Sequence, residues 1–171
     1  MFYNLLPAAG RPRFTLLTAL FLVPFATPSI ASTVTSSFTV QVTVASACVI
    51  NSTATLNFGN QGVLVANVDN TSTLQVQCTN TTPYNIGLDI GTGSGATLAT
   101  RKMTNGSNTI NYSLYSDSSR TQVWGDVIGT NTVAATGNGA SQSYTVYGRI
   151  PAQATPAAAT YTDTITVTVT Y

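Results

Sequence analysis

The stretch that decides the fold is ITVTVTY, residues 165–171, in which apolar and hydroxyl-bearing side chains alternate without interruption. Successive side chains of a β-strand point to opposite faces, so a period of two residues indicates a strand with one buried face. The β-branched residues Ile, Val and Thr also favour strands. We therefore predict a core strand that directs Ile165, Val167, Val169 and Tyr171 inward.

The same alternation recurs along the chain between segments rich in turn-forming residues. The predicted inward positions are Phe38, Val40, Val42 and Val44; Leu74, Val76 and Cys78; Tyr84, Ile86, Leu88 and Ile90; Ile110, Tyr112 and Leu114; and Tyr144, Val146, Gly148 and Ile150. The predicted turns are residues 67–73, 91–96, 105–108, 137–140 and 151–159. At least six short strands without a helical stripe predict an all-β sandwich or barrel of antiparallel sheets.

The N-terminal region differs in composition from the rest. Arg11 and Arg13 precede an apolar run at residues 14–26, and small residues follow up to Ala31. This order predicts a secretory signal peptide, residues 1–31. A retained membrane anchor is the alternative, but the run contains Pro24 and is shorter than the roughly 20 apolar residues that span a bilayer.

The predicted mature chain carries few charges. Its cations are Arg101, Lys102, Arg120 and Arg149, and its anions are Asp69, Asp89, Asp117, Asp126 and Asp163, for a net charge of −1. This balance does not favour a nucleic-acid partner. A surface of Thr, Ser, Asn and Gln has little charge to oppose self-association, which suits a protein that assembles.

Two cysteines, Cys48 and Cys78, lie in the exported part of the chain. An oxidising compartment favours a disulfide between them, and closing that loop would stabilise the fold by about 3 to 4 kcal/mol. A metal or redox role is the alternative, but the sequence has neither a C-x-x-C spacing nor a histidine. We expect no metal and no cofactor.

The residues needed for most catalytic sites are missing. Without His or Glu, the chain cannot form a Ser/His/Asp or Cys/His arrangement. A carboxylate pair among the five aspartates remains open, although most of them lie in or beside turns, where Asp bonds to the backbone. Residues 91–95 lack the following Lys and helix of a phosphate loop and are predicted to be a hairpin loop. We predict that the protein is not an enzyme.

Two strongly alternating segments, 38–44 and 165–171, lie near the two ends of the predicted mature chain. A sandwich that ends on a core strand leaves an open groove and an unpaired edge, which aggregates unless something pairs with it. Residues 32–44 contain no charge and no Pro, so they could supply a strand to another molecule. Alternation alone favours the alternative, in which residues 38–44 form an internal strand of their own domain.

Five motifs in a fixed order carry a resemblance to a known family. They are TLNFG at 55–59, LQVQC at 74–78, YSLYSD at 112–117 followed by Arg120 and Thr121, YGRIP at 147–151, and YTDTITVTVTY at 161–171. Over residues 38–171 the chain resembles the spore coat protein U domain family, which includes the major subunits of archaic, Csu-type chaperone-usher pili.

The resemblance implies an incomplete immunoglobulin-like β-sandwich that lacks its last strand and is completed by donor-strand exchange. It implies a donor extension at 32–45, with Phe38, Val40, Val42 and Val44 entering a partner's groove, and a pilin domain at 46–171. The edge formed by Ile165, Val167, Val169 and Tyr171 would pair with the donor or the chaperone. Expected partners are other copies, related pilus subunits, a periplasmic chaperone and an outer-membrane usher.

The resemblance also implies export to the periplasm, then display on the cell surface in a pilus that supports adhesion and biofilm formation. The alternative function is a standalone secreted coat or carbohydrate-binding β-sandwich that does not polymerise. That module would need an exposed aromatic patch, for which Tyr115, Trp124 and Tyr147 are the candidates.

Overall fold

The computed structural model describes residues 28–171, so the predicted signal peptide lies outside the described residues except for 28–31. The chain divides into two units, Met1–Gln41 and Val42–Tyr171, and the strands found within residues 28–171 all lie in the second. The strands are β1 (Cys48–Thr53), β2 (Val68–Cys78), β3 (Pro83–Leu88), β4 (Arg101–Asn105), β5 (Asn108–Tyr115), β6 (Val133–Thr136), β7 (Ser141–Ile150) and β8 (Val167–Thr170). No helix within residues 28–171 is long and apolar enough to cross a membrane.

The strands form two sheets in which every pairing is antiparallel. One sheet has the order β1-β2-β7-β5-β4, and the other has the order β6-β3-β8. Strands distant in sequence, such as β2 and β7, are neighbours, so connections cross between the sheets as in other β-sandwiches. The predicted all-β class is confirmed.

The core consists of the inner faces of both sheets and largely follows the predicted alternation. The predicted inward side chains that are buried are Leu74, Val76, Cys78, Tyr84, Ile86, Leu88, Tyr112, Leu114, Val146 and Ile150. Ile90 lies beyond the end of β3 and is 43% exposed, so its predicted inward position is wrong. Trp124 is buried and donates its indole N–H to the Ile86 carbonyl at 2.9 Å. It is therefore not available for an exposed aromatic patch.

Two of the predicted turns are corrected by the structure. Residues 67–73 are mostly strand, because β2 begins at Val68. Polar side chains like those of this segment are common in turns. Here, however, Asp69 lies opposite Arg149 on β7 and forms a cross-strand ion pair with it. Residues 91–95 are not a hairpin loop, because they connect β3 in one sheet to β4 in the other.

A buried arginine fastens the end of β3 to this connection. The Arg101 side chain is fully buried, and its guanidinium donates to the carbonyls of Leu88, Asp89, Leu98 and Trp124 at 2.7 to 3.1 Å. Burial lowers the pKa of Arg101 from its usual value, because desolvation penalises the cation. The four carbonyls satisfy a charge that would otherwise be costly to bury.

Cys48 and Cys78 form a disulfide with a Cα–Cα distance of 4.1 Å. Cys48 is the first residue of β1 and lies opposite Cys78, the last residue of β2. The next pair outward, Ala47 and Thr79, continues this ladder, since the Thr79 amide donates to the Ala47 carbonyl at 2.9 Å. The start of β1 is therefore fixed to the end of β2.

Candidate functional site

A groove of about 1230 Å³ opens along one side of the sandwich. One wall is the end of β1 and residues 53–62, and the other is residues 155–165 and the start of β8. Its floor includes the core residues Leu88, Tyr112, Leu114 and Val146. The groove thus lies directly over the hydrophobic core, between the two sheets.

The β8 edge beside this groove has no strand partner among the described residues. β8 pairs with β3 on one side only. Just before β8, Thr166 bonds toward the β3 side: its carbonyl accepts from the Asp89 amide at 3.2 Å, and its amide donates to the Asp89 carboxylate at 3.0 Å. Because bonding groups alternate along an antiparallel strand, the amides of Val167 and Val169 point toward the free edge.

The four residues predicted as an acceptor edge differ in burial and in their position relative to β8. Ile165 and Val167 line the groove, and both pack partly against the core together with Val169. Tyr171 lies beyond β8 and is 61% exposed. Burial alternates from residue 161 to residue 170, so the extended path begins before the strand does.

Asp163 anchors this extended path to the rest of the domain. Its carboxylate accepts hydrogen bonds from the Tyr112 hydroxyl at 2.7 Å and from the amide and hydroxyl of Thr92 at 2.7 and 2.8 Å. The pKa of the Tyr112 phenol is raised, mainly by burial and in second place by the hydrogen bond to this carboxylate. Thr162 also bridges to Thr104 of β4. The groove wall ahead of β8 is therefore held in place before anything binds.

The opposite wall depends on a glycine in β7. Leu56 and Phe58 lie against Gly148, where an added Cβ would come within 2.7 Å of Leu56 Cδ1 and 2.9 Å of Phe58 Cζ. The Phe58 ring also meets the Tyr112 ring edge-on, with centroids 6.5 Å apart. A side chain at position 148 would push this wall outward.

The free edge of β1 differs from that of β8 because it carries a bulge. The register shifts between Ile50 and Ser52, which leaves Asn51 without an opposite residue. The Asn51 side-chain amide donates to Gln77 Oε1 at 3.2 Å and Ser141 Oγ at 3.1 Å. A bulge interrupts the regular ladder that an added strand needs. β8 is therefore the more suitable of the two edges for strand addition.

The segment predicted as a donor belongs to no strand of the structure. The side chains of Phe38, Val40, Val42 and Val44 are 89%, 83%, 84% and 76% exposed. Four large apolar side chains in one short exposed segment are unusual, since such residues normally lie in a core or an interface. Residues 38–44 therefore do not form an internal strand of their own domain in the structure.

The aspartates form hydrogen bonds with different partners in different parts of the fold. Asp117 accepts hydrogen bonds from the Thr121 and Gln122 amides, as expected of a turn aspartate. Asp69 accepts a two-pronged bond from Arg149, which holds the pKa of its carboxyl below the usual value. Within residues 28–171 no group of three or more potential ligands is arranged to bind a metal ion.

Arg101 and Asp163 were not predicted as residues that shape the site. A single Arg or Asp in a Thr-rich sequence carries no signal of its own. The one available hint was Tyr112, because a tyrosine at a predicted core position needs a hydrogen-bond partner for its hydroxyl.

Comparison with known proteins places this geometry in a family. The model of the Spore Coat Protein U domain matches residues 34–168. The chain is 36% identical over 165 residues to "Protein U" of Myxococcus xanthus, covering 88% of this chain and 91% of that protein.

The fold also matches a crystal structure titled as the CsuC-CsuE chaperone-tip adhesion subunit pre-assembly complex from archaic chaperone-usher Csu pili of Acinetobacter baumannii. The TM-score is 0.55 and the identity 26%, over 75% of this chain and 40% of the matched chain. This chain thus spans well under half of that chain's length. The likeness confirms the predicted immunoglobulin-like class, and the extent of the family match shows that the chain belongs to the Spore Coat Protein U domain family.

Proposed function

We propose that this protein is a structural subunit of a chaperone-usher pilus and polymerises by donor-strand exchange. The observation that carries the proposal is the unpaired β8 edge beside a groove that reaches the core. An exposed segment with the matching period of two, residues 38–44, is present in the same chain. In this proposal residues 1–31 direct export, residues 32–45 donate a strand and residues 46–171 receive one.

The donor would add to β8 by β-augmentation. Main-chain bonds to the outward amides of Val167 and Val169 would give affinity, and alternate side chains in the groove would set the register. If Phe38, Val40 and Val42 are buried with Val44 at about 1.5 to 3 kcal/mol each, insertion gains on the order of 6 to 12 kcal/mol before ordering costs. Such a contact would dissociate slowly.

A subunit with an unpaired edge needs protection before it assembles, because an exposed uncharged edge promotes aggregation. A periplasmic chaperone that lends a strand, and an outer-membrane usher that exchanges it, would meet this need. The similarity to a chaperone-subunit complex supports the chaperone in particular. We therefore propose that the subunit passes through the periplasm to the cell surface.

The contact between donor and acceptor joins different surfaces, so it need not close into a ring and can repeat to form a filament. Such a filament would support adhesion and biofilm formation. We propose a structural role and no catalytic one, because the site offers backbone groups and apolar side chains.

A standalone coat protein is the second candidate. It is favoured by the match to Protein U, which covers 91% of that protein at a higher identity than the pilus structure. In that case the domain would be a stable monomer and would not need a strand from a neighbour.

The test moves the donor segment from one end of the chain to the other. Residues 32–45 are deleted and regrafted after Tyr171 through a short Gly/Ser linker, and the product is compared with the unmodified mature chain. The proposal expects a monomer that melts cooperatively and far above the unmodified chain, which polymerises or aggregates.

The matched control is the same graft carrying Val40→Asp and Val42→Asp, which should not stabilise the domain. A stable monomeric unmodified chain that gains nothing from the graft would favour the standalone coat protein.

A further inference from the structure

We infer that Asn105 is a site of spontaneous deamidation, and that its conversion to aspartate or isoaspartate loosens the groove wall at Thr160. Asparagine reacts in this way most readily before glycine, because glycine has no side chain to shield the attacking amide. The sequence has two such pairs, Asn105-Gly106 and Asn138-Gly139. Their surroundings in the structure differ, and the difference assigns the reaction to the first pair.

The reaction is an attack of the backbone on the side chain. The Gly106 nitrogen bonds to Cγ of Asn105 and closes a five-membered succinimide ring. The Cγ–Nδ2 bond breaks, and Nδ2 leaves as ammonia with the proton that the Gly106 amide loses. Water then adds to one of the two ring carbonyls: cleavage of the bond from the ring nitrogen to Cγ gives aspartate, and cleavage of the bond from that nitrogen to the main-chain carbonyl gives isoaspartate. Only water is consumed, and the two reacting groups belong to adjacent residues.

The Gly106 amide is free to attack. Gly106 lies in the two-residue loop between β4 and β5, with a φ of 58°. No hydrogen bond from its amide is present within residues 28–171, and a Cβ added to it would meet nothing within 4 Å. Both Asn105 and Gly106 are exposed. The loop is also remote from the residues that pair β5 with β7, which are 113–115 on the β5 side, so it can open without disturbing that pairing.

The side chain of Asn105 holds the groove wall. Its Nδ2 donates to the Thr160 carbonyl at 2.9 Å, and Thr160 lines the groove. Two residues on, Thr162 exchanges backbone hydrogen bonds of 2.8 and 3.2 Å with Thr104 of β4. After deamidation, position 105 carries a carboxylate, which donates no hydrogen bond and meets a carbonyl oxygen of like partial charge. The wall at residues 160–162 therefore loses one of its attachments to β4.

The second pair is protected at both reacting groups. The Gly139 amide donates to the Cys78 carbonyl at 3.1 Å, and Cys78 is fixed by the disulfide. The Asn138 side-chain oxygen accepts from the Ala140 amide at 2.9 Å. Attack at Asn138 requires both bonds to break, whereas Asn105 must give up only its one side-chain bond. One hydrogen bond changes an equilibrium by about fivefold, so Asn105 should react at least about fivefold faster than Asn138.

The first test compares the two asparagines in the mature chain. The chain is aged at neutral pH, once folded and once in denaturant, and tandem mass spectrometry of its peptides follows the mass gain at each site. The two sites should react alike in denaturant, and Asn105 at least about fivefold faster in the folded chain. Asn105→Gln, which would have to close a larger ring, should remove the gain at position 105 and leave Asn138 unchanged. The inference is overturned if Asn138 reacts as fast as Asn105 in the folded chain, or if folding suppresses both sites equally.

The second test measures the groove wall. Asn105→Asp reproduces one product, and Asn138→Asp is the matched control that adds the same charge at the other pair. Hydrogen exchange of the Thr162 amide, which is bonded to Thr104, should be about fivefold faster in the Asn105→Asp chain at neutral pH and unchanged in the control. Equal exchange in the variant and the unmodified chain would overturn the loosening of the wall. Neither test depends on polymerisation, so a failure of the proposed function would leave both results interpretable.

Discussion

Charged substitutions on one face of the donor segment should abolish polymerisation without harming the free subunit. Val40 and Val42 are more than four-fifths exposed, so assembly would transfer nearly the whole of each side chain from water into a groove. Val→Ala removes about two methyl-sized groups per site, or about 1.6 kcal/mol at ~0.8 kcal/mol each. The double alanine variant should therefore bind about 200-fold more weakly.

Aspartate at the same two positions should be worse than alanine. The groove lining contains no Lys or Arg, and its one charged residue is Asp163. An unpaired carboxylate buried there would cost several kcal/mol more than the lost apolar contact. We expect the Val40→Asp, Val42→Asp chain to form no filaments in electron micrographs, while its yield as a chaperone-bound monomer is unchanged.

The control uses the other face of the same segment. Gln41→Asp with Thr43→Asp adds the same charge at positions that would point away from the groove, and these chains should still polymerise. The reasoning is refuted if the Val40, Val42 double aspartate variant assembles normally. It is also refuted if both double variants are equally defective, because the face of the segment that carries the charge would then make no difference.

Three further predictions concern the acceptor domain. Replacing Cys48 and Cys78 with Ser should lower the free energy of unfolding by about 3 to 4 kcal/mol in a denaturant titration of the regrafted chain, and an unchanged midpoint would contradict it. Arg101→Met leaves four carbonyls, two of them buried and two partly buried, without their donor and should cost about 3 kcal/mol or more in the same titration; a loss under about 1 kcal/mol would argue against the role given to this residue. Because the Arg149 bond holds the folded-state pKa of Asp69 below its unfolded value, its stabilisation is present above the unfolded pKa and is lost as the pH falls through the folded one. Asp69→Asn should therefore flatten the decline in melting temperature below about pH 4, and an unaltered decline would place the acid sensitivity elsewhere.

The sequence predicted the central strands well because apolar and polar residues alternate in a strand that buries only one face. Tyr84 and Ile86 on β3 and Val146 and Ile150 on β7 alternate with polar or partly exposed residues, as the pattern requires. Three of the four edge strands, β1, β4 and β6, were missed for the complementary reason. β4 (RKMTN) and β6 (VAAT) are short, and apolar and polar residues do not alternate in their sequences.

The contacts of Arg101 and Asp163 were beyond sequence reasoning because their partners are backbone atoms or residues distant in sequence. Arg101 satisfies its guanidinium with carbonyls, and Asp163 joins Thr92 to Tyr112 across 71 and 51 residues of sequence. Nothing in the residue types predicts which loop carbonyls will meet. The segments proposed as donor and acceptor could be identified from the sequence because strand addition depends on alternation and charge, which a sequence displays.

Amide hydrogen exchange on β8 tests the central claim most directly. The comparison is between assembled wild-type subunits and the Val40→Asp, Val42→Asp chain, with Val76 of β2, which lies between β1 and β7, as an internal reference that is protected in both. The account predicts that the amides of Val167 and Val169 exchange rapidly in the variant and slowly in the assembly, because the donor strand accepts their hydrogen bonds. Equal exchange of these two amides in both samples would show that no strand is added to β8, and the account would be wrong.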